Sequence, residues 1–159
     1  MRVMVSGGGT GGHIYPAITI IERLRAQDPS VEILYVGTKK GLESDIIPKE
    51  NIPFETIEVA GFQRKLTLAN LAIAGRAAKG VWQALSLVRK FRPDVVIGTG
   101  GYACWPIAAA AIRMGIPCAL HESNASPGLA IKRLHRCADR VWLHFEETAK
   151  KLSSKKNVL

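Results

Sequence analysis

The sequence predicts an α/β fold, a doubly wound parallel sheet, and three observations carry that expectation. Short apolar runs alternate with stretches of helical period along the whole chain. Two of those runs lead into glycine-rich turns, Gly7-Gly8-Gly9-Thr10-Gly11-Gly12 and Gly98-Thr99-Gly100-Gly101. A third leads into a polar turn at 122–128. In such a sheet the turns that follow strands all fall on the carboxyl edge, so the three loops are expected to share one rim.

Each element can be justified in order. Arg2-Val3-Met4-Val5 reads as a buried parallel strand. Behind the glycines, Ile14, Ala17, Ile18, Ile21 and Leu24 recur at helical spacing and predict a helix over 14–26. A second strand is expected at 31–36, ending in Gly37-Thr38-Lys39-Lys40, then a short helix at 42–47 closed by Pro48. Residues 54–59 alternate apolar and polar, the mark of a half-exposed strand near the sheet edge. Gly61-Phe62-Gln63-Arg64-Lys65 reads as a basic loop before a long helix over 68–91, stopped by Pro93. The second half repeats the alternation, with strands at 94–98, 118–121 and 140–144 and helices at 105–114, 129–137 and 146–152. Asn157-Val158-Leu159 opens a further element.

Composition narrows the function classes. With 159 residues and 47% hydrophobic content, the chain is expected to form one domain, 1–159, with a substantial core. Its net charge of +9 comes from 22 Lys and Arg against 13 Asp and Glu. The excess gathers late, at Lys132, Arg133, Arg136, Arg140, Lys150, Lys151, Lys155 and Lys156. It either forms a solvated basic face or draws an anionic partner: nucleic acid, a membrane surface or a phosphorylated substrate. A nucleic-acid module would explain the charge but not three unusual loops on one rim. Cys104, Cys118 and Cys137 are odd in number and unclustered, which points to reduced thiols rather than a metal site. The longest apolar stretches are broken by Arg76, Lys79 or Arg113, and Met1-Arg2 leads straight into a strand, so a cytoplasmic, soluble or peripheral protein is expected.

The first glycine turn admits two chemistries. A strand-to-helix glycine turn collects free N–H groups and the positive helix end, a site for phosphate or diphosphate. Gly7-x-Gly9-x-x-Gly12 also satisfies the dinucleotide fingerprint. The acidic residue that such sites carry at the end of the second strand is replaced by Gly37-Thr38-Lys39-Lys40, and Lys39 and Lys40 suit a 2′-phosphate. An NADP-binding oxidoreductase domain is therefore the alternative. Neither a triphosphatase P-loop nor an Asp-x-Asp pair is present, so no metal is expected.

Taken together, three segments carry a sharper signal: 8–17 (Gly-Gly-Thr-Gly-Gly-His-Ile-Tyr-Pro-Ala), Gly98-Thr99-Gly100-Gly101-Tyr102, and His121-Glu122-Ser123-Asn124-Ala125. In order and spacing they resemble the MurG family over essentially the whole chain. Its members move N-acetylglucosamine from UDP-GlcNAc onto undecaprenyl-pyrophosphoryl-MurNAc-pentapeptide (lipid I) in peptidoglycan synthesis. The resemblance departs at Cys104 and Trp105 after Gly-Gly-Tyr, and at Ser123, where Gln is more usual. It implies the amino-terminal, acceptor-side half of a glycosyltransferase B fold, a Rossmann-like sheet whose donor-binding carboxy-terminal domain lies outside this chain. A naturally split transferase would give the same half.

The resemblance also assigns roles. The reaction inverts the anomeric centre, and the acceptor hydroxyl loses its proton as it attacks, a task suited to a base titrating near neutrality. His13 is the first candidate, with Glu122 as a second base or as an orienting group. Thr10, Gly11, Gly12 and Asn124 would meet the UDP-GlcNAc donor. Gly9, Gly100, Gly101, Tyr102 and His121 would hold the acceptor. No cofactor is implied, and no nucleic acid. The family's apolar patch on the membrane suggests Leu68, Leu71 and Trp82, with Arg64, Lys65, Arg76 and Lys79 nearby, as a contact with the anionic inner membrane from its cytoplasmic face. His135 and His144 are expected to be ordinary surface or strand residues.

Overall fold

Seven parallel strands form one sheet in the order β3-β2-β1-β4-β5-β6-β7 in a computed structural model that describes residues 1–59, 69–152 and 157–158, with backbone alone for 69–77 and 157–158. The strands are β1 (Arg2–Gly7), β2 (Glu32–Gly37), β3 (Phe54–Thr56), β4 (Val95–Gly100), β5 (Cys118–Glu122), β6 (Arg140–Leu143) and β7 (Asn157–Val158). The helices are α1 (Gly11–Gln27), α2 (Glu43–Lys49), α3 (Ala69–Phe91), α4 (Cys104–Arg113), α5 (Leu129–Leu134) and α6 (Glu146–Lys151). The chain winds outward from β1 to β3 and then returns to lay β4 on the other side of β1. That reversal creates a switch point between β1 and β4, where both glycine turns emerge.

Strand alternation sorts the core onto two faces. Val3, Val5, Ile33, Tyr35 and Ile97 pack against α1 and α2 through Ile14, Ile18, Ile21 and Ile47. Met4, Val36 and Val96 point the other way, onto Ala84 and Val88 of α3 and Ile107 and Ala111 of α4. Further along that face, Cys118, Leu120 and Val141 meet Ile131 and Leu134 of α5. Each apolar side chain buried this way contributes about 1.5–3 kcal/mol, which fixes the strand register and hence the rim.

Several boundaries depart from the sequence expectation: β1 runs on to Gly7 and β4 to Gly100, into the expected glycine turns, and the following four shift as well. Helix α1 begins at Gly11 rather than at residue 14, because the Thr10 carbonyl accepts the N–H of both His13 and Ile14. Helix α2 runs through Pro48 to Lys49 and ends where Asn51 takes a left-handed backbone (φ 53°), a conformation Asn tolerates. Strand β3 is in register with β2 only over Phe54, Glu55 and Thr56; the Ile57 N–H still donates to the Gly37 carbonyl, but Ile57 and Val59 then pack with the α3 and α4 cluster. Helix α5 stops at Leu134, whose carbonyl accepts both Cys137 N–H and Ala138 N–H in a tight turn. At the other end, Asn157-Val158 is a seventh strand beside β6.

Candidate functional site

The three loops do meet at one rim, and they are joined largely through main chain. Gly101 has φ +84° and lies so close to the Gly8 carbonyl that a Cβ there would collide with it. Gly100 has φ +105°, and a Cβ on it would lie 2.7 Å from His13 Nδ1, so the imidazole rests directly on that peptide. Both positions need glycine for conformation and for space. The strand beneath locks the same junction. Thr99, buried in β4, donates its hydroxyl to the His13 carbonyl at 2.7 Å, and the Tyr35 hydroxyl donates to the Gly7 carbonyl at 3.2 Å.

Pro16 explains how the third loop is attached. Proline has no N–H, so the Gly12 carbonyl, four residues earlier in α1, lacks its helical donor. Ser123 Oγ supplies one instead, donating to that carbonyl at 2.9 Å across 111 residues of sequence. The third loop is otherwise organised by Glu122, which is 1% exposed. Its Oε1 accepts the Asn124 N–H (2.9 Å) and Nδ2 (2.7 Å), and its Oε2 accepts the Gly128 N–H (2.7 Å). Helix α6 holds the loop from outside: Thr148 Oγ1 donates to the Asn124 carbonyl and Lys151 Nζ to the Ala125 carbonyl.

The residues singled out from the sequence sort clearly. His13 sits in the first turn of α1, half-buried, with Nδ1 buried and without a hydrogen-bond partner. His121, at the end of β5, also has a buried Nδ1 without a partner. Burial pushes the His121 imidazole below its ordinary pKa; Glu122 opposes that shift, while His144 and His13 add to it. The rim therefore brings both His13 and His144, the latter expected from the sequence to be an ordinary surface or strand residue, within electrostatic reach of His121. Thr10, Gly12, Tyr102 and Asn124 are exposed on it, and Gly11 is half-exposed. The first N–H groups of a helix have no intrahelical partner, and here they belong to Gly11 and Gly12. The Gly9 N–H donates within the chain to Glu43 Oε2 at 2.9 Å, so that donor of the first turn is already taken. Glu122 likewise has both oxygens engaged by its own loop.

Glu43 and Thr99 were missed. Glu43 is fully buried, and an acid in the first turn of a helix is so ordinary that its sequence position gives no alarm. The available signal was the spacing of Gly37 and Gly41 around it, since a Cβ on either would run into its side chain.

Elsewhere, Cys104 and Cys118 are buried thiols pushed up to about 11 and about 12 by desolvation. No cluster of His, Cys, Asp and Glu suited to a metal ion exists among the described residues. Lys132, Arg133, Arg136, Arg140, Lys150 and Lys151 lie on the surface; Lys155 and Lys156 fall outside the described residues. Trp82 is 68% exposed. Leu68, Arg64 and Lys65 fall outside the described residues, as do the side chains of Leu71 and Arg76, and Lys79 pairs with Glu58 at 2.6 Å. No described helix is long and apolar enough to cross a membrane.

Comparison with known proteins places the chain among relatives of one kind. A curated relative from Desulforamulus reducens, a UDP-N-acetylglucosamine–N-acetylmuramyl-(pentapeptide) pyrophosphoryl-undecaprenol N-acetylglucosamine transferase, is 48% identical over 158 residues. That match covers 99% of this chain and 42% of the relative. The transferase of the same name from Bacillus subtilis is also 48% identical over 158 residues, covering 99% of this chain and 44% of its own length. The chain thus spans less than half the length of the curated relatives it matches. Among solved structures, the MurG of Acinetobacter baumannii superposes with a TM-score of 0.79 at 30% identity, covering 99% of this chain and 43% of that one. A Neisseria meningitidis UDP-GlcNAc 2-epimerase, at 14% identity and a TM-score of 0.68, shares the fold. These matches favour the transferase reading over the dinucleotide one. Residues 3–143, which hold all three loops and the sheet that aligns them, match the model of the glycosyltransferase family 28 N-terminal domain, and the chain belongs to that family.

Proposed function

We propose that this chain is the acceptor-side half of an inverting glycosyltransferase that transfers N-acetylglucosamine from UDP-GlcNAc to undecaprenyl-pyrophosphoryl-MurNAc-pentapeptide. The observation that carries the reading is the seat of His13, an imidazole laid on Gly100 between two glycine turns at the switch point. In this reading the acceptor diphosphate lies along the Gly100-Gly101 turn and the N–H groups of Gly11 and Gly12 face the donor diphosphate, where backbone dipoles bind phosphate oxygens without desolvating a long cationic side chain. His13 then stands beside the acceptor sugar and takes the proton of its attacking hydroxyl through Nε2. His121, kept neutral by burial, adds no competing positive charge. Tyr102 borders the acceptor, and Asn124 with Thr10 faces the donor. Glu122 is a positioning residue, because its oxygens already hold Asn124 and Gly128 in place.

The donor pocket belongs to a second domain, consistent with the fraction of its relatives that this chain spans. The assembled protein works on the cytoplasmic face of the inner membrane, held peripherally by Trp82 and by Arg64, Lys65, Arg76 and Lys79, which precede it in the sequence.

The test is a two-domain enzyme carrying this half. His13→Ala should lower kcat by about 100- to 10,000-fold, the range for loss of a general base, with KM for the acceptor nearly unchanged. An unchanged kcat would end the assignment. The chain alone, given both substrates, should form no disaccharide. Vesicle sedimentation should show binding to anionic vesicles that falls with added salt; equal, salt-insensitive binding to neutral ones would remove the electrostatic contribution.

A further inference from the structure

The first glycine loop presents two faces, and one of them is already filled. On the side of β2, the Gly9 N–H (2.9 Å), the Thr38 N–H (3.0 Å) and the Thr38 hydroxyl (2.8 Å) converge on a single carboxylate, that of Glu43. Glu43 is 0% exposed, and its only ion-sized complement is this set of donors, because neither described salt bridge involves it. The pocket is shaped to the group: a Cβ on Gly8, Gly37 or Gly41 would strike the Glu43 side chain. Gly9 is also the second glycine of the Gly7-x-Gly9-x-x-Gly12 pattern, the position where a dinucleotide-binding backbone approaches its pyrophosphate. Here that N–H meets an anion supplied by the chain itself.

We propose that the β2 face of the first glycine loop is an anion site whose resident ligand is the Glu43 carboxylate. Three donors converging on one buried oxyanion are the elements of a phosphate or carboxylate cradle. With the Glu43 side chain filling the space and its oxygens taking these donors, the face has neither room nor free N–H groups for a phosphate. The loop is thereby closed to a dinucleotide on this side and keeps only its α1 face, at Gly11 and Gly12, for a ligand anion. That last consequence rests on the function proposed above; the occupied site itself does not.

Chemical rescue tests it on the bare chain, without donor, acceptor or activity. Glu43→Ala removes a carboxymethyl group, the shape of acetate, and leaves three inward donors. Thermal unfolding should fall by about 5–10 °C. Acetate at tens of millimolar should then raise the variant by several degrees, while the wild type, and the variant in matched chloride, stay unmoved. Equal response of variant and wild type to acetate overturns the site. Should the alanine variant not fold, Glu43→Gln keeps the volume but turns one N–H donor of the amide toward Gly9 or Thr38. Amide exchange at one of those two positions should accelerate at least about tenfold, since the donor loses its acceptor. Protection equal to the wild type at both overturns the proposal. Because neither readout involves the transferase reaction, a failure here leaves the function reading standing, and a failure of that reading leaves this one intact.

Discussion

Two buried carboxylates hold the rim, and they do it in different ways. Glu122 accepts three N–H bonds from residues no more than six positions ahead, so it folds its own loop. Glu43 reaches back 34 residues to Gly9 and five to Thr38, so it ties the loop after β1 to the end of β2. The first device shapes one turn. The second fixes two strands' ends relative to each other, and with them the Gly8 peptide against which Gly101, next to the His13 seat at Gly100, is packed. Where catalysis depends on where a backbone lies, the long-range tie matters more than the local one.

The largest expected effect comes from breaking the backbone contact that Glu43 supports. Gly101→Ala combines a left-handed φ of 84° with a collision against the Gly8 carbonyl, and should destabilise by about 4 kcal/mol. Calorimetry would show a Tm loss of about 10 °C; a loss under about 2 °C would mean that the two glycine turns are less tightly joined than the geometry says.

Glu43→Gln and Glu122→Gln set the long-range tie against the local one. Each replaces an accepting oxygen by a donating nitrogen that faces an N–H. The Glu43 variant should lose about 3 kcal/mol in urea unfolding and the Glu122 variant about 1–2, because exposed Asn124 can turn to water while Gly9's donor faces the buried interior of the loop. Equal losses would erase the distinction between local and long-range ties.

A smaller effect is expected at the latch between them. Ser123→Ala should cost about 1 kcal/mol, the worth of the bond to the Gly12 carbonyl, and Ser123→Ala on a Pro16→Ala background should cost less, because a helical N–H again serves that carbonyl. A double-mutant cycle with no coupling would detach the third loop from α1.

The smallest effect is read with pH. His121 has a folded pKa below its unfolded value of about 6.5 because burial disfavours the cation. Above that value both states are neutral and its contribution to stability is complete. As the pH falls through the lowered folded pKa, the unfolded chain has already bound a proton that the folded one resists, so stability declines. His121→Phe should flatten that segment of the pH–stability curve; an unchanged slope would assign the decline to another group.

The fold was readable because the strands of the central sheet are near-continuous apolar runs. Met4 and Val96 on one face, and Val5 and Ile97 on the other, needed no alternation to be recognised as buried. Edges were harder. Strand β3 is set by partners on β2 rather than by its own pattern, and the seventh strand has only two residues. At the site, glycine and histidine were visible because few other roles require them in such density. Glu43 and Thr99 were not, since a helix-start acid and a strand threonine look the same in sequence whether they face water or a buried loop. The Gly12 carbonyl was foreseeable in principle from Pro16, but its partner Ser123 lies 111 residues away.

The contact of Gly101 with the Gly8 carbonyl has an implication for redesign. Two turns that touch peptide to peptide cannot be lengthened, swapped or grafted singly; a transplant of this rim onto another scaffold must carry both together, with Thr99 beneath. The exposed side chains of Thr10 and Tyr102, which no hydrogen bond ties into the joint, are where a new shape can be tried without disturbing the seat of the imidazole.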